Sequence, residues 1–145
     1  MAHCLPDVSA RAGTRPPDHR AHDLATDDPL SLTLDDRDPE LGVTGLKQAG
    51  RWYAAGRALD DPEISPAFAD LTGLAPAIVF IGLRDILLPD ARRVRELGAA
   101  AGVPVELHEY PGMPHNWIMK KIPEARRATD ELVVFLHTAA AQTLR

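Results

Sequence analysis

The spacing of hydrophobic residues changes repeatedly from residue 76 onward. Residues 76–83, PAIVFIGL, form a short continuous apolar run rich in β-branched side chains, which favours a buried parallel strand. Residues 90–101 instead carry apolar side chains at three- and four-residue steps, which predicts a helix with Pro89 in its first turn and Gly102 just past its end. The apolar stripe of this helix consists of Ala91, Val94, Leu97 and Ala101.

A second strand and a second helix follow. Residues 105–110, VELHEY, alternate apolar and polar side chains, and residues 122–142 have a helical pattern that Pro123 and Glu124 open. Parallel neighbours need a crossover, which the first helix supplies. The sequence therefore predicts the α/β class, as a βαβ unit with parallel strands plus a C-terminal helix. The inner face of that last helix is predicted to contain Ala128, Leu132, Phe135, Leu136 and Ala139.

The segment before residue 76 divides into three parts. Residues 1–30 are rich in Pro, Asp, Arg and His without periodicity, and we predict a disordered tail, with one domain over 31–145. A short amphipathic helix is predicted around 43–55, followed by a proline-rich loop over 60–76. The apolar residues of that helix are Leu46, Ala49, Trp52 and Tyr53.

The tail contains a group of possible metal ligands. His19 and His22 could share one face of a helix, and His3 and Cys4 lie nearby in the sequence. This spacing is weak evidence for a metal site, because a convincing fourth ligand is lacking. A solvated polar tail explains these residues more simply. We therefore expect neither a metal site nor a cofactor.

Charge and hydropathy exclude several kinds of partner. The net charge is −5 and no run of Lys or Arg exceeds two residues, which argues against nucleic acid or an anionic membrane as partner. No apolar stretch is long enough for a membrane span, and the N-terminal residues lack the apolar region of a secretory signal. The single cysteine, Cys4, forms no internal disulfide, so the default expectation is a cytoplasmic protein.

Two side chains follow the carboxyl ends of the predicted strands. Asp85 comes two residues after the first strand, and His115 lies in the loop after the second. Open parallel sheets place functional groups in such loops, and adjacent strands bring the loops together. A carboxylate there would orient the imidazole as in a nucleophilic relay. Separately, each residue has a simpler explanation, since an Asp before a helix often caps it and a loop His is often only solvated.

Residues 65–117, SPAFADLTGLAPAIVFIGLRDILLPDARRVRELGAAAGVPVELHEYPGMPHNW, resemble the C-terminal part of the α/β-hydrolase fold in the hormone-sensitive-lipase-like esterases and lipases. The similarity extends over about 31–140. It implies that Asp85 is the triad acid and His115 the triad base. It also implies that Trp117 packs beside the histidine or shapes an acyl pocket. Asp90 is a second acid, which we assign to the helix start, and Met113 and Pro114 are expected to set the loop.

The resemblance also implies a serine between glycines, and these 145 residues contain none. The serines are Ser9, Ser31 and Ser65, and no two glycines are adjacent, so an oxyanion loop is missing too. Cys4 is a possible substitute nucleophile, but its context gives no reason to expect a lowered pKa. We therefore expect a carboxylic ester hydrolase family protein with acid and base but without nucleophile elbow, inactive alone.

Two alternatives remain open. Instead of a family member that is inactive alone, the chain would be either a subunit of a split esterase or a non-catalytic interaction module. In the first case a small ester would be the substrate once a partner supplies the serine. An unpaired sheet edge would be the surface for that partner or for self-association.

Overall fold

The structure is a computed structural model that describes residues 24–143. Its helices and strands include the predicted order of strand, helix, strand and helix. In chain order they are α1 (Pro29–Leu34), α2 (Val43–Ala54), β1 (Ala77–Gly82), α3 (Leu88–Ala100), β2 (Val105–Tyr110) and α4 (Pro123–Thr143), with short 3₁₀ turns at Pro66–Phe68 and Trp117–Met119. Predictions about residues 1–23, including the possible metal ligands, lie outside the described residues.

The two strands form a parallel pair. The register runs from Ala77 opposite Val105 to Gly82 opposite Tyr110. Because α3 connects the strands and α4 follows, the predicted α/β class and βαβ unit are confirmed. Gly102, directly after the end of α3, has the positive φ of 70° that favours glycine, also as predicted.

Side chains of the strands alternate between two hydrophobic clusters. On one face, Val79, Ile81 and Leu107 pack with residues of α1, α2 and α3 around the fully buried Ile86. On the other face, Phe80 and Tyr110 pack under Trp117 and the first half of α4. Helices therefore cover both faces of the sheet, as parallel strands require.

Residues 24–30, which the sequence pattern assigned to the tail, pack on the domain. Thr26 is buried, and a Cβ on Gly50 would lie 2.2 Å from the carbonyl oxygen of Leu24. Asp28 caps α1 by accepting from the N–H of Leu30 at 2.6 Å, and Pro29 occupies the first turn. Because Gly50 has no side chain, this segment can pack closely against α2.

The helix α2 exposes some of its apolar residues, and α4 exposes one residue that was predicted to lie on its inner face. Trp52 and Tyr53 are exposed, and the buried residues of α2 are Val43, Gly50 and Ala54. Leu136 of α4 is exposed as well, although Ala128 is fully buried. The helical periodicity is therefore confirmed in both helices, whereas the inner-face prediction is wrong for Leu136.

Within residues 24–143, none of the helices has the length and apolar content that crossing a bilayer requires.

Candidate active site

The turn after β1 places Asp85 at the end of the sheet. The N–H of Asp85 donates to the carbonyl of Gly82 at 3.1 Å, which closes the turn. Its carboxylate Oδ1 accepts from the N–H of Leu87 at 2.9 Å, as an Asp side chain does in a turn with the backbone two residues further on. The N-cap of α3 is Leu87, and no side chain caps this helix, so the capping role considered for Asp85 is wrong. The turn bond occupies only one of the two carboxylate oxygens.

The loop after β2 folds back over the end of β1. The N–H of Arg84 donates to the carbonyl of Met113 at 3.0 Å. A Cβ on Gly82 would lie 2.0 Å from the same carbonyl oxygen, which no side chain tolerates. The absence of a side chain at Gly82 thus lets the histidine loop approach the aspartate turn.

These two contacts bring the predicted pair together. His115 Nδ1 lies 3.0 Å from Asp85 Oδ2. Because a carboxylate only accepts, Nδ1–H is the donor, and Nε2 is left with its lone pair. The Asp85 side chain is 4% exposed and the His115 side chain 23%. Among residues 24–143, no hydrogen bond to Nε2 is seen.

Trp117 lies in the core beside the site. It is 2% exposed, and its ring centroid is 4.3 Å from that of Tyr110. Asn116, between the histidine and the tryptophan, has a positive φ of 52°, a conformation that Asn tolerates better than most residues. Packing is therefore an observed role of Trp117, and its contribution to an acyl pocket stays a prediction.

The other polar candidates lie apart from the imidazole. Asp90 is in the first turn of α3, where the helix-start assignment put it. The hydroxyls of Ser31 and Ser65 donate to the carbonyls of Ile86 and Leu59, so neither donates to His115. Ser9 and Cys4 lie outside the described residues. No group of three His, Cys, Asp or Glu within residues 24–143 has the geometry of a metal site.

Sequence reasoning missed two buried side chains that contact the aspartate turn. Asp38 Oδ2 accepts from the N–H of Ile86 at 3.3 Å, and the Ser31 hydroxyl donates to the Ile86 carbonyl at 2.7 Å. Ser31 was considered only as a nucleophile, and Asp38 stood in a run of acidic residues with no pattern to single it out.

Known proteins show the same combination of fold and sequence. A family model of the alpha/beta hydrolase fold matches residues 15–119, so the match begins inside the segment predicted as a tail. The chain therefore belongs to the α/β-hydrolase fold family. It is 35% identical over 125 residues to an acetyl-hydrolase of Streptomyces hygroscopicus, covering 85% of this chain and 42% of the relative. It is 42% identical over 77 residues to an esterase of Acinetobacter venetianus, covering 52% of this chain and 25% of the relative.

Solved structures agree with this assignment. A hormone-sensitive lipase from a metagenome library superposes with a TM-score of 0.77 at 32% identity, over 81% of this chain and 41% of that one. Esterase E25 superposes with a TM-score of 0.73 at 33% identity, over 79% of this chain and 36% of that one. The resemblance to hormone-sensitive-lipase-like esterases is confirmed, and the chain spans less than half the length of these proteins.

Proposed function

We propose that this chain supplies the acid and the base of a serine carboxylic ester hydrolase, with Asp85 as acid and His115 as base. The observation that supports this proposal is the 3.0 Å contact of His115 Nδ1 with the buried Asp85 carboxylate at the carboxyl ends of two parallel strands. The carboxylate would hold the Nδ1–H tautomer and stabilise the imidazolium. Nε2 would take the proton from a serine hydroxyl and later return it to the leaving alcohol.

By itself the chain is proposed to be inactive on esters. No G-x-S-x-G occurs in the 145 residues, and no adjacent glycines offer an oxyanion loop. Without a nucleophile and oxyanion donors, little of the rate enhancement of such an enzyme would remain. A reducing cytoplasmic location also remains a proposal, based on the single cysteine.

A second candidate, the subunit of a split esterase, is favoured by the difference between the two strands. The strand β1 has the wholly apolar sequence of an interior strand, yet its first four residues are only partly buried. The strand β2 instead carries the polar residues Glu106, His108 and Glu109, and charged side chains are common on edge strands. We propose that a serine-bearing polypeptide, or a second copy of this chain, pairs with the edge of β1 that faces away from β2.

Labelling with a fluorophosphonate probe, together with hydrolysis of a short-chain p-nitrophenyl ester, tests both proposals. The chain alone is expected to give neither labelling nor turnover. Addition of a G-x-S-x-G-bearing polypeptide of the same family should produce turnover that His115→Ala removes. Turnover by the chain alone would contradict the proposed incompetence.

The same mixture distinguishes the third possibility. Binding of that polypeptide without turnover, unchanged by His115→Ala and Asp85→Asn, would favour the interaction module over both hydrolase proposals. Light scattering of the chain alone separates self-association from pairing with a partner.

A further inference from the structure

We propose that Ser31 and Asp38 are positioning residues that hold the acid turn, and through it Asp85, within hydrogen-bonding distance of His115. The inference rests on the proposed function, because it assigns Asp85 as the acid. It concerns residues far away in sequence, on α1 and on the loop between α1 and α2.

Both polar groups of the residue after Asp85 are bound by these two side chains. The N–H of Ile86 donates to Asp38 Oδ2 at 3.3 Å, and the carbonyl of Ile86 accepts from the Ser31 hydroxyl at 2.7 Å. Ile86 is fully buried, so water does not satisfy either group if its partner is removed. The backbone on the C-terminal side of Asp85 is thus fixed from two directions.

The residue before Asp85 is tied to the same segment. Arg84 Nε donates to the carbonyl of Arg37 at 2.9 Å, directly before Asp38. The loop that carries Asp38 is itself rigidly built, because Asp38 Oδ1 accepts from the N–H groups of Glu40 at 2.9 Å and Leu41 at 3.3 Å. One carboxylate therefore joins the start of α2 to the acid turn.

The burial of Ser31 and Asp38 supports the proposal that their hydrogen bonds hold the acid turn. Ser31 is 1% exposed and Asp38 is 7% exposed, and a buried carboxylate is retained only where hydrogen bonds compensate its desolvation. The ordinary capping of α2 does not require Asp38, since Asp35 Oδ1 already accepts from the N–H of Val43 at 2.7 Å. The bond of Asp38 to Ile86 is the additional contact that links the two segments.

The chain offers a direct readout of the acid's position, the tautomer of His115. Long-range ¹H–¹⁵N correlation spectra of the full ¹⁵N-labelled chain report which imidazole nitrogen carries the proton. The spectra are recorded at a pH at which titration finds the imidazoles neutral. Asp85→Asn serves as the reference for loss of the acid, and His108, which pairs with Glu131, is an internal control.

The variants are Ser31→Ala and Asp38→Asn. An asparagine has a single acceptor oxygen, so it can serve either Ile86 or the N–H groups of residues 40 and 41, but not both. We expect each variant to lower the ratio of the Nδ1–H to the Nε2–H tautomer of His115 at least about twofold, because the hydrogen bond to the acid selects the tautomer. The His108 signals should not change.

Matched controls separate positioning from general stability. Ser65→Ala removes another buried hydroxyl that donates to a backbone carbonyl, and Asp35→Asn removes another carboxylate that accepts from a helix N-terminus. Both should lower the melting temperature without changing the His115 tautomer. If Asp38→Asn does not fold, Ser31→Ala still tests the claim with the loss of a single bond.

The outcomes are distinguishable. If Asp85→Asn changes the His115 tautomer but Ser31→Ala and Asp38→Asn behave as their controls do, the positioning role is refuted and the proposed function stands. If Asp85→Asn itself leaves the tautomer unchanged, the acid–base pair is refuted, and the positioning role with it.

Discussion

Within residues 24–143, two histidine–carboxylate pairs of almost equal length differ in their surroundings. His115 Nδ1 lies 3.0 Å from Asp85, and His108 Nδ1 lies 2.8 Å from Glu131. Both carboxylates would orient an imidazole through the same nitrogen. The hydrogen-bond distance alone therefore does not separate the two pairs.

The pairs differ in burial and in what the second imidazole nitrogen faces. The Glu131 side chain is 40% exposed against 4% for Asp85. His108 lies in the middle of β2, with its Nε2 3.5 Å from Glu106, so a second carboxylate occupies the nitrogen that a base would need. His115 lies in the loop beyond the strand and has no such neighbour within residues 24–143.

The two carboxylates also differ in the groups that they bind. Asp85 serves its own turn and the imidazole. Glu131 is shared between His108 and Tyr110: burial of the phenol, and then its hydrogen bond to Glu131, raise the pKa of Tyr110. The His108 pair joins α4 to β2. The buried Asp85 instead holds an imidazole whose Nε2 has no hydrogen-bond partner within residues 24–143, an arrangement that suits proton transfer.

The largest difference should appear when each imidazole is removed from a chain completed with a serine-bearing polypeptide. His115→Ala is expected to lower kcat/KM by about 10³-fold or more, because the base that activates the serine is lost. His108→Ala should change kcat/KM by about twofold at most, as for a partly exposed residue away from the chemistry. Equal losses of kcat/KM in the two variants would mean that the two histidine pairs do not differ in their role in ester hydrolysis.

Removal of each carboxylate should give a smaller but parallel contrast. Asp85→Asn keeps the shape but presents an amide to the imidazole, so kcat should fall by about 10²- to 10⁴-fold with the fold intact. Glu131→Gln should leave kcat within about twofold. The measurement is steady-state ester hydrolysis by the same completed protein, with circular dichroism to verify folding. A kcat for Asp85→Asn within threefold of the parent would remove Asp85 from the proposed mechanism.

A substitution at Gly82 should disturb one pair and spare the other. Gly82→Ala puts a Cβ against the carbonyl of Met113, and overpacking of this kind costs about 1–3 kcal/mol of unfolding free energy. The His115 imidazole signals should shift because its loop is displaced, while the signals of His108 in mid-strand stay in place.

The control for this substitution is Gly45→Ala in α2, which meets no atom within 4 Å. It should be neutral or stabilising by up to about 1 kcal/mol, since Ala is the better helix former. Urea unfolding followed by circular dichroism measures both variants. Equal unfolding free energies for Gly82→Ala and the parent would show that the loop does not need the glycine.

Strong local patterns made much of this fold predictable. The apolar run of β1 and the alternation of β2 gave both strands within a residue at each end, and the topology then placed Asp85 and His115 together. The short helix α1 was missed, although an Asp followed by Pro, at Asp28 and Pro29, is a recognised helix start. The surrounding composition, rich in Pro and charged residues, outweighed that local signal.

The remaining features depend on tertiary contacts that no local pattern encodes. In α2 it is Gly50 that lies against the backbone of Leu24, whereas Trp52 is exposed. The bonds of Ser31 and Asp38 to Ile86 join residues 55 and 48 positions apart. Hydrogen bonds of that range follow from packing, so sequence periodicity does not predict them.

The smallest effect is expected when the ion pair between Arg92 and Glu109 is removed. Arg92 binds Glu109 through two contacts, Nε to Oε1 at 2.7 Å and a terminal nitrogen to Oε2 at 2.9 Å, between α3 and β2. The hydrogen bond to Arg92 lowers the pKa of Glu109. A carboxyl whose pKa is lowered by folding stabilises the fold above its unfolded pKa of about 4.3 and loses that contribution as the pH falls through the folded value.

Arg92→Met should therefore cost about 0.5–1 kcal/mol at neutral pH, since the pair is partly exposed, and nothing once Glu109 is protonated. Urea unfolding from neutral pH down to about pH 3 measures this difference, and Arg126→Met, at an exposed position of α4, is the control that should change little. A difference that persists after Glu109 is protonated would mean that the Arg92 stem, rather than its charge, stabilises the fold. The distance from Arg92 Nε to Glu109 Oε1 is shorter than the nitrogen–oxygen distance of either histidine pair. A small effect of Arg92→Met would therefore support burial and surroundings, rather than bond length, as what distinguishes His115 and Asp85.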